Sequence, residues 1–397
     1  MTVIPGLVHF GSLEEVYPLV ITLLKRLGAW GSRRQLYGLY GFFLCHFFLR
    51  LLPLILYLDA GDIHALVRHL GEIVFISMLY PVFIVYVWKL PKLMLLIKIL
   101  RRSFYEYCGP HQPPVYREAI VKTNRFIRNI CRFYFAYTGL NIPVYIVMPP
   151  ALTFYKYFSW NSNSSEPFYF NFPNELPYMN HFNMGHYITV TSLIAPIFFC
   201  SALFLAMKSM VYYSLIKYVS LMFKLVVKRI RLLDDSISIG GGSRLEQAVD
   251  DVIRAHYLAL RCAQLLEELI SPILLAQFLG CVIVWCLLLF YITLNVSGVG
   301  AMTTLILCEI VAFEMLAFSY FGSELTEISE SLAHEIYSFR WYDAPMTVRK
   351  KVLLMSVRAQ QIVGITALRF YYVSIEQFGQ AVQTTYSFYL VMKKLFE

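Results

Sequence analysis

The sequence predicts an all-α, polytopic membrane protein with seven transmembrane helices, a cytoplasmic amino terminus and an extracellular carboxyl terminus. Three observations carry this expectation. Of its 397 residues, 58% are hydrophobic and 15% charged, with a mean hydropathy of +0.59; a soluble domain is nearer half apolar and a quarter charged. Seven apolar stretches of about 20 residues, the length that crosses a bilayer, recur along the chain. The basic residues cluster in alternate connections. The same figures exclude intrinsic disorder. A net charge of +9, which in a soluble protein would suggest nucleic acid, reads here as a topology signal and not a nucleic-acid surface.

The expected spans are 36–58, 70–90, 132–155, 186–209, 271–294, 300–322 and 372–395. Lys25, Arg26, Arg33 and Arg34 precede the first; 89–132 holds ten basic residues, 208–270 nine and 323–364 five, together 28 of the 34. That places the amino terminus inside. The opposite side holds Arg68, Lys156 and the terminal Lys393 and Lys394. No cleavable signal peptide is expected, because Glu14 and Glu15 interrupt the first apolar run. Two N-x-[ST] sequons, at Asn163 and Asn295, fall in loops that this topology places outside, and Asn163 is the expected glycosylation site.

Helix punctuation adds detail. Ile239–Ser243, with three glycines, reads as a break between two helices of a long polar segment. Ser271-Pro272 reads as an N-cap and first helical residue. Ser374, followed three residues later by Gln377, resembles a capping box, so a helix should run from there to about Phe396. On that helix Gln383, Tyr386 and either Tyr389 or Leu390 share one face. The stripe suits either a pore lining or a helix–helix interface glued by hydroxyls and amides.

Charges at membrane depth need partners. Arg50 in the first span either pairs with a carboxylate such as Glu72 or extends to the outer surface, and Glu309 and Glu314 lie in the sixth span. His64, His69, His181 and His186 read as solvated loop residues, and Asp234, Asp235, Asp250 and Asp251 as solvated helix faces. The eight cysteines include no C-x-x-C pair, so neither a zinc site nor a disulfide framework is expected. No phosphate loop, nucleophile elbow or triad is present, so no enzyme activity and no cofactor is expected.

The carboxyl-terminal third resembles the insect odorant receptor family. The matching residues are Tyr320-Phe-Gly322-Ser-Glu324-Leu-Thr, Ile336-Tyr337, Trp341-Tyr342-Asp-Ala-Pro345, Arg349-Lys-Lys-Val-Leu-Leu354, Arg358-Ala-Gln360, Ile365-Thr366-Ala367, Ser374-Ile-Glu376-Gln-Phe378 and Thr385-Tyr386-Ser387-Phe388. Order and spacing hold over about 75 residues; the first 300 residues resemble the family only in length, span count and topology. Gustatory receptors end in Thr-Tyr, five apolar residues, then Gln-Phe. Met392-Lys393 stands in those last two places here, which favours an odorant receptor. The chain also lacks the insertion in the second cytoplasmic loop that lengthens the shared co-receptor.

The resemblance implies a tuning subunit of a ligand-gated, non-selective cation channel, assembled as a heterotetramer with the odorant receptor co-receptor in the plasma membrane of olfactory sensory neurons. It implies a cytoplasmic N-terminal segment at 1–35 and spans one to four with an outer ligand pocket at 36–216. A cytoplasmic helical anchor follows at 217–270, then spans five and six at 271–322, further anchor helices at 323–369 and a pore-lining last helix at 370–397. One anchor helix should run from about Arg349 to Ala367. Gln383, Tyr386, Tyr389 and Lys393 would then line the pore or its gate. Four copies of Lys393 would disfavour cations, which suits a heteromer; alternatively Lys393 extends to the outer interface.

The family's odorant pocket lies in the outer half of the bundle, between spans two to six. Projected through the topology, it would draw on Ile76, Leu79 and Tyr80 from the second span and Asn141, Tyr145 and Met148 from the third. The fourth would add Tyr187, Thr191 and Ile194, and the sixth Met302, Thr304 and Leu305. Such a pocket suits a small volatile held by dispersion and desolvation. The alternative is a gustatory receptor, a homomeric tastant-gated channel. A transporter would show inverted repeats, and a G-protein-coupled receptor has its amino terminus outside.

Overall fold

The computed structural model describes residues 63–159, 183–237, 242–293 and 298–396, with isolated positions between 37 and 55. Most of the expected first span, Arg50 and both sequons lie outside these residues. The described chain is helical: α1 Ile63–Ser77, α2 Leu79–Tyr107, α3 Pro114–Ser159, α4 Met184–Ile237, α5 Gly242–Thr293, α6 Gly298–Ser338, α7 Met346–Ala359 and α8 Ile375–Phe396, with a 3-10 turn at Trp341–Asp343. The only paired strand residues among those described are Thr366 and Tyr372, in one isolated bridge.

Length sets the architecture. Helix α4 has 54 residues and α5 has 52, about 80 Å each at 1.5 Å per residue, against a hydrocarbon layer of about 30 Å. Each therefore continues far past any membrane layer as one rod. Among the described residues three helices, α4, α5 and the rod containing α6, are long and apolar enough to cross a membrane on those criteria alone. The centre of α4 is buried on every side from Phe204 to Phe223, as expected of a helix apolar all round. It packs against α3, α5 and α6 and is the axis of the bundle.

Prolines shape two of these rods differently. The second expected span is broken at Met78, between α1 and α2. Pro81 cannot donate to the Ser77 carbonyl and crowds it, so the helix is interrupted there. Met78 folds over Gly280 of α5, where a Cβ would come within 2.5 Å of its methyl carbon. Ser271-Pro272, in contrast, does not start a helix: α5 runs through it. Pro272 leaves the Glu268 carbonyl without its helical donor, and Lys89 Nζ supplies one at 2.6 Å. The Ser271 hydroxyl instead accepts the Leu368 amide at 2.7 Å.

Away from the apolar spans, α4, α5, α6 and α7 form a second bundle stitched by ion pairs. Glu324 of α6 meets Lys217 at 2.5 Å and Lys224 at 2.9 Å. Arg231 pairs with Glu335. Lys351 of α7 meets Glu246 at 2.9 Å and Asp250 at 2.7 Å, so Asp250 is an inter-helix contact as well as a solvated residue. Helix α7 stops at Ala359, short of the expected Ala367. Beyond it the chain turns back: Ala367 N donates to Tyr371 O and Val373 N to Ile365 O, and Leu368 and Arg369 take positive φ.

That turn lies directly on α6. A Cβ at Gly322 would stand 2.2 Å from the Val373 carbonyl oxygen, and one at Gly364 would stand 2.5 Å from Thr326 Oγ1. Ser323 Oγ accepts the Ile375 amide at 3.0 Å. Glu267 of α5 accepts both the amide (2.9 Å) and the hydroxyl of Thr366. Helix α8 then begins at Ile375, with Ser374 Oγ accepting the Gln377 amide at 3.3 Å, as the capping pattern predicts.

Gly322→Ala forces the Val373 carbonyl away from α6. We expect a loss of about 1–3 kcal/mol, read as a lower melting temperature of the detergent-solubilised chain. His256, buried on α5, has its imidazole pushed down to about 4 by burial and by Arg358 of α7. The unfolded chain therefore binds this proton first, and stability falls as pH drops from about 6.5 towards 4. A melting series over that window should show the fall, and His256→Gln should flatten it.

Candidate functional site

A cavity of about 70 Å³ lies where the junction of α1 and α2 faces α3, α4 and α6. Glu72, Phe75, Ile76 and Leu79 form one wall; Thr138, Ile142, Tyr145 and Ile146 of α3 form the next. Phe198, Ser201, Ala202 and Leu205 of α4 and Leu307 and Ile310 of α6 close it. The small side chains at 201 and 202 leave the space, and the aromatic rings of Phe75, Tyr145 and Phe198 border it. Tyr145 and Phe198 lie 6.4 Å apart, ring to ring.

Of the twelve residues expected in an odorant pocket, Ile76, Leu79 and Tyr145 line this cavity. Tyr80 turns away, edge-on to Phe47 at 5.4 Å. Asn141 and Met148 of α3 and Thr191 and Ile194 of α4 are half-buried and do not line the cavity. Tyr187 is buried against Phe154, Thr304 is buried, and Met302 and Leu305 are exposed. The cavity sits further along the helices than the projection placed it, by about three turns on α4 and between one and two on α6. The i, i+4, i+7 set Thr138, Ile142, Tyr145 marks its α3 face and is legible as one stripe; its depth is not.

Two buried polar networks border the cavity. On one side the Glu72 carboxylate meets Arg68 Nε and receives the Tyr145 hydroxyl, both at 3.4 Å. Arg68 also donates to the Tyr291 hydroxyl at 3.4 Å and to Thr303 Oγ1 at 3.3 Å. Arg68 is thus a buried residue of α1 and not a loop charge, and His69 beside it is fully buried and not a solvated loop histidine. Glu72, expected as a partner for Arg50, is met by Arg68 among the described residues. Tyr291 packs with Val67 and Phe290, and against Tyr389 and Met392 of α8.

One turn beyond Leu205 and Ile310, Lys208 of α4 and Glu314 of α6 pair at 2.7 Å with no solvent exposure on either side chain. Ser209 Oγ donates to Glu314 at 2.5 Å and Gln277 Nε2 donates to it at 3.0 Å; Lys208 Nζ donates to the Gln277 carbonyl oxygen at 3.1 Å. Lys208 is therefore a core residue rather than one of the loop charges. Glu309, one turn earlier than Glu314, stays exposed.

Helix α8 packs on α5 and α6 through one face only. Thr385 is buried and Tyr389 half-buried, whereas Gln383, Tyr386 and Leu390 are exposed. Of the two candidates for the exposed stripe, Leu390 continues it and Tyr389 turns into the bundle. Lys393 is half-buried in the last turn, where a cation suits the carbonyl end of the helix.

A bundle of membrane-length rods around a mostly apolar cavity is the architecture of a multi-pass helical membrane protein. The family model described as 7tm Odorant receptor matches residues 65–386, and the chain belongs to that insect odorant receptor family, which is a receptor family and not an enzyme family. Odorant receptor 10 of Aedes albopictus is 25% identical over 175 residues, 44% of this chain and 46% of that protein. The odorant receptor coreceptor of Anopheles gambiae is 24% identical over 154 residues, 38% of this chain and 32% of that one. The chain thus spans less than half the length of these curated relatives. The insect olfactory receptor OR5 of Machilis hrabei, solved in complex with eugenol, shares the fold with a TM-score of 0.79 over 97% of this chain and 99% of that one, at 12% identity.

Removing one partner of the Lys208–Glu314 pair leaves a buried charge uncompensated. Lys208→Met alone should cost about 3–5 kcal/mol, and Lys208→Met with Glu314→Leu should recover most of it. Thermal melts of the two purified variants against wild type test this.

Proposed function

We propose that this chain is the odorant-tuning subunit of a ligand-gated, non-selective cation channel, a heterotetramer with the odorant receptor co-receptor in the membrane of olfactory sensory neurons. The observation that carries the reading is the mostly apolar cavity between α1–α2, α3, α4 and α6, whose polar edge runs through Arg68 and Tyr291 to the last helix. Its lining suits a small volatile, bound mainly by dispersion and desolvation. The eugenol held by the structurally similar receptor supports an odorant-sized ligand. At about 70 Å³ the space is tight, so binding favours conformations in which the walls stand further apart. The ligand's leverage on gating equals its preference for those conformations.

The uncovered face of α8, with Gln383, Tyr386 and Leu390, is the surface that would meet the pore axis, with Lys393 near the gate. The ion-paired bundle of 217–270 and 323–369 would supply the anchor between subunits, and 370–397 the pore lining. A single Lys393 beside three co-receptor subunits is compatible with cation flow, whereas four would oppose it. The likeness of part of this chain to a coreceptor is in keeping with a shared channel architecture.

Expressed with an insect co-receptor in a cell lacking other chemoreceptors, the chain should yield volatile-evoked cation current; expressed alone, it should yield none. Current from the chain alone would instead mean a homomeric channel. Ala202→Phe fills the cavity and should abolish the evoked current while surface expression, measured by labelling, persists.

A further inference from the structure

We propose that one face of α3 holds an anionic phospholipid whose headgroup carries more than one phosphate, with those phosphates on Lys122, Arg125, Arg128 and Arg132. The inference goes beyond the odorant and channel readings and needs neither; it rests on the chain being a multi-pass membrane protein. At 3.6 residues per turn the four cations fall within about a third of the helix circumference. All four are exposed, and Asn129 is exposed among them. Among the described residues no carboxylate meets any of the four. Cations on other helices are met: Lys92 by Glu268, Lys217 and Lys224 by Glu324, and Arg231 by Glu335. The one acid on the same face nearby in sequence is Glu118, one turn before Lys122 and at the end of the stripe furthest from the apolar part of α3.

The same face changes character along its length. Beyond Arg132 it presents Ala136, Gly139, Leu140, Pro143 and Val147, all exposed and uncharged. The next charge on α3 is Lys156, about 36 Å beyond Arg132 at 1.5 Å per residue, enough for a hydrocarbon layer of about 30 Å. Arg132 therefore stands at the edge of the hydrocarbon, and Lys122 about 15 Å outside it. An ordinary headgroup layer is only about 5–8 Å deep, so it ends between Arg128 and Arg125. A headgroup that projects further, such as a phosphorylated inositol ring, reaches the whole stripe. On the hydrocarbon side Phe133 and Phe135 are exposed on either flank. A Cβ at Gly139 would meet nothing within 4 Å, so Ala136 and Gly139 leave a shallow seat for an acyl chain.

Chemistry narrows the class. Three of the four cations are arginines, whose forked guanidinium matches phosphate oxygens in pairs. A phosphodiester alone brings a single charge, whereas each added phosphate monoester brings up to two charges and three acceptor oxygens. The basic connections assign this end of α3 to the cytoplasmic side, the leaflet in which anionic lipids concentrate. The position in the bundle agrees. Helix α3 packs on α4, with lesser contact to α6 and α2, whereas α8 packs on α5 and α6. The cavity-lining Thr138, Ile142 and Tyr145 lie on the opposite side of α3 from the stripe, so the lipid and the cavity use different faces of one helix.

The test places the purified full-length chain in nanodiscs of neutral phosphatidylcholine and titrates in a fluorescent phosphatidylinositol bisphosphate. Unlabelled competitors are the same lipid, phosphatidylserine at equal total charge, and soluble inositol trisphosphate. We expect the bisphosphate lipid to compete about tenfold or more better than phosphatidylserine. Arg125→Gln with Arg128→Gln should weaken binding about thirtyfold, the worth of two basic residues near an anionic surface. Arg125→Lys with Arg128→Lys should lose less. Both pairs of side chains are exposed, so melting temperatures in neutral lipid should match wild type and show that the variants fold. Equal competition by phosphatidylserine would mean a diffuse surface charge and no built site. Soluble inositol trisphosphate competing as well as the lipid would mean a site for free phosphates. Either result, binding that survives the double glutamine change, or no binding at all would overturn the inference. None of these readouts uses an odorant or a current, so its failure leaves the channel reading where it stands.

Discussion

The structure depends on the buried pair between Lys208 and Glu314. Two charges with no solvent exposure are costly unless every donor and acceptor is met. Here the partners come from three helices at once: Lys208 and Ser209 from α4, Gln277 from α5 and Glu314 from α6. Apolar ridges tolerate sliding by a turn, whereas this network does not, because a shift of any one rod would leave a charge unpaired. The network therefore sets the relative depth of α4, α5 and α6. The cavity lies one turn to one side of it, and the ion-paired bundle lies on the other.

The second constraint is the tight turn between α7 and α8. It is held to α6 by close backbone approach at Gly322 and Gly364, and to α5 by Glu267 and Ser271. Several residues that mark the family in this chain belong to that contact. Gly322 admits the Val373 carbonyl, Ser323 accepts the first amide of α8, and Thr366 binds Glu267. The start of the last helix is thus fastened to the two rods that also carry the buried network. At its far end Tyr389 and Met392 rest on Phe290 and Tyr291.

That far end is where the cavity's polar edge arrives. Glu72 stands in the wall, Arg68 is one turn away on α1, and Tyr291 carries the contact to α5 and to the cluster beneath α8. This is a continuous physical path of about four side chains. It links the cavity wall to the helix whose other face is exposed.

Composition, the seven apolar stretches and the capping residues determined the helical membrane class, the break near Ile239–Ser243 and the start of α8 at Ser374. These are local properties: hydropathy, glycine content and a side chain that caps amides three residues away. The motif residues from Tyr320 to Phe388 likewise identified the family. Tertiary structure alone decided the rest. Ser271-Pro272 looks like a helix start until Lys89 from α2 satisfies the carbonyl that proline frees. Lys208 and Arg68 look like loop charges until Glu314 and Glu72 meet them in the core. The cavity lies deeper on α4 and α6 than topology placed it, because depth is set by which residues pair across helices, and sequence distance carries no record of that.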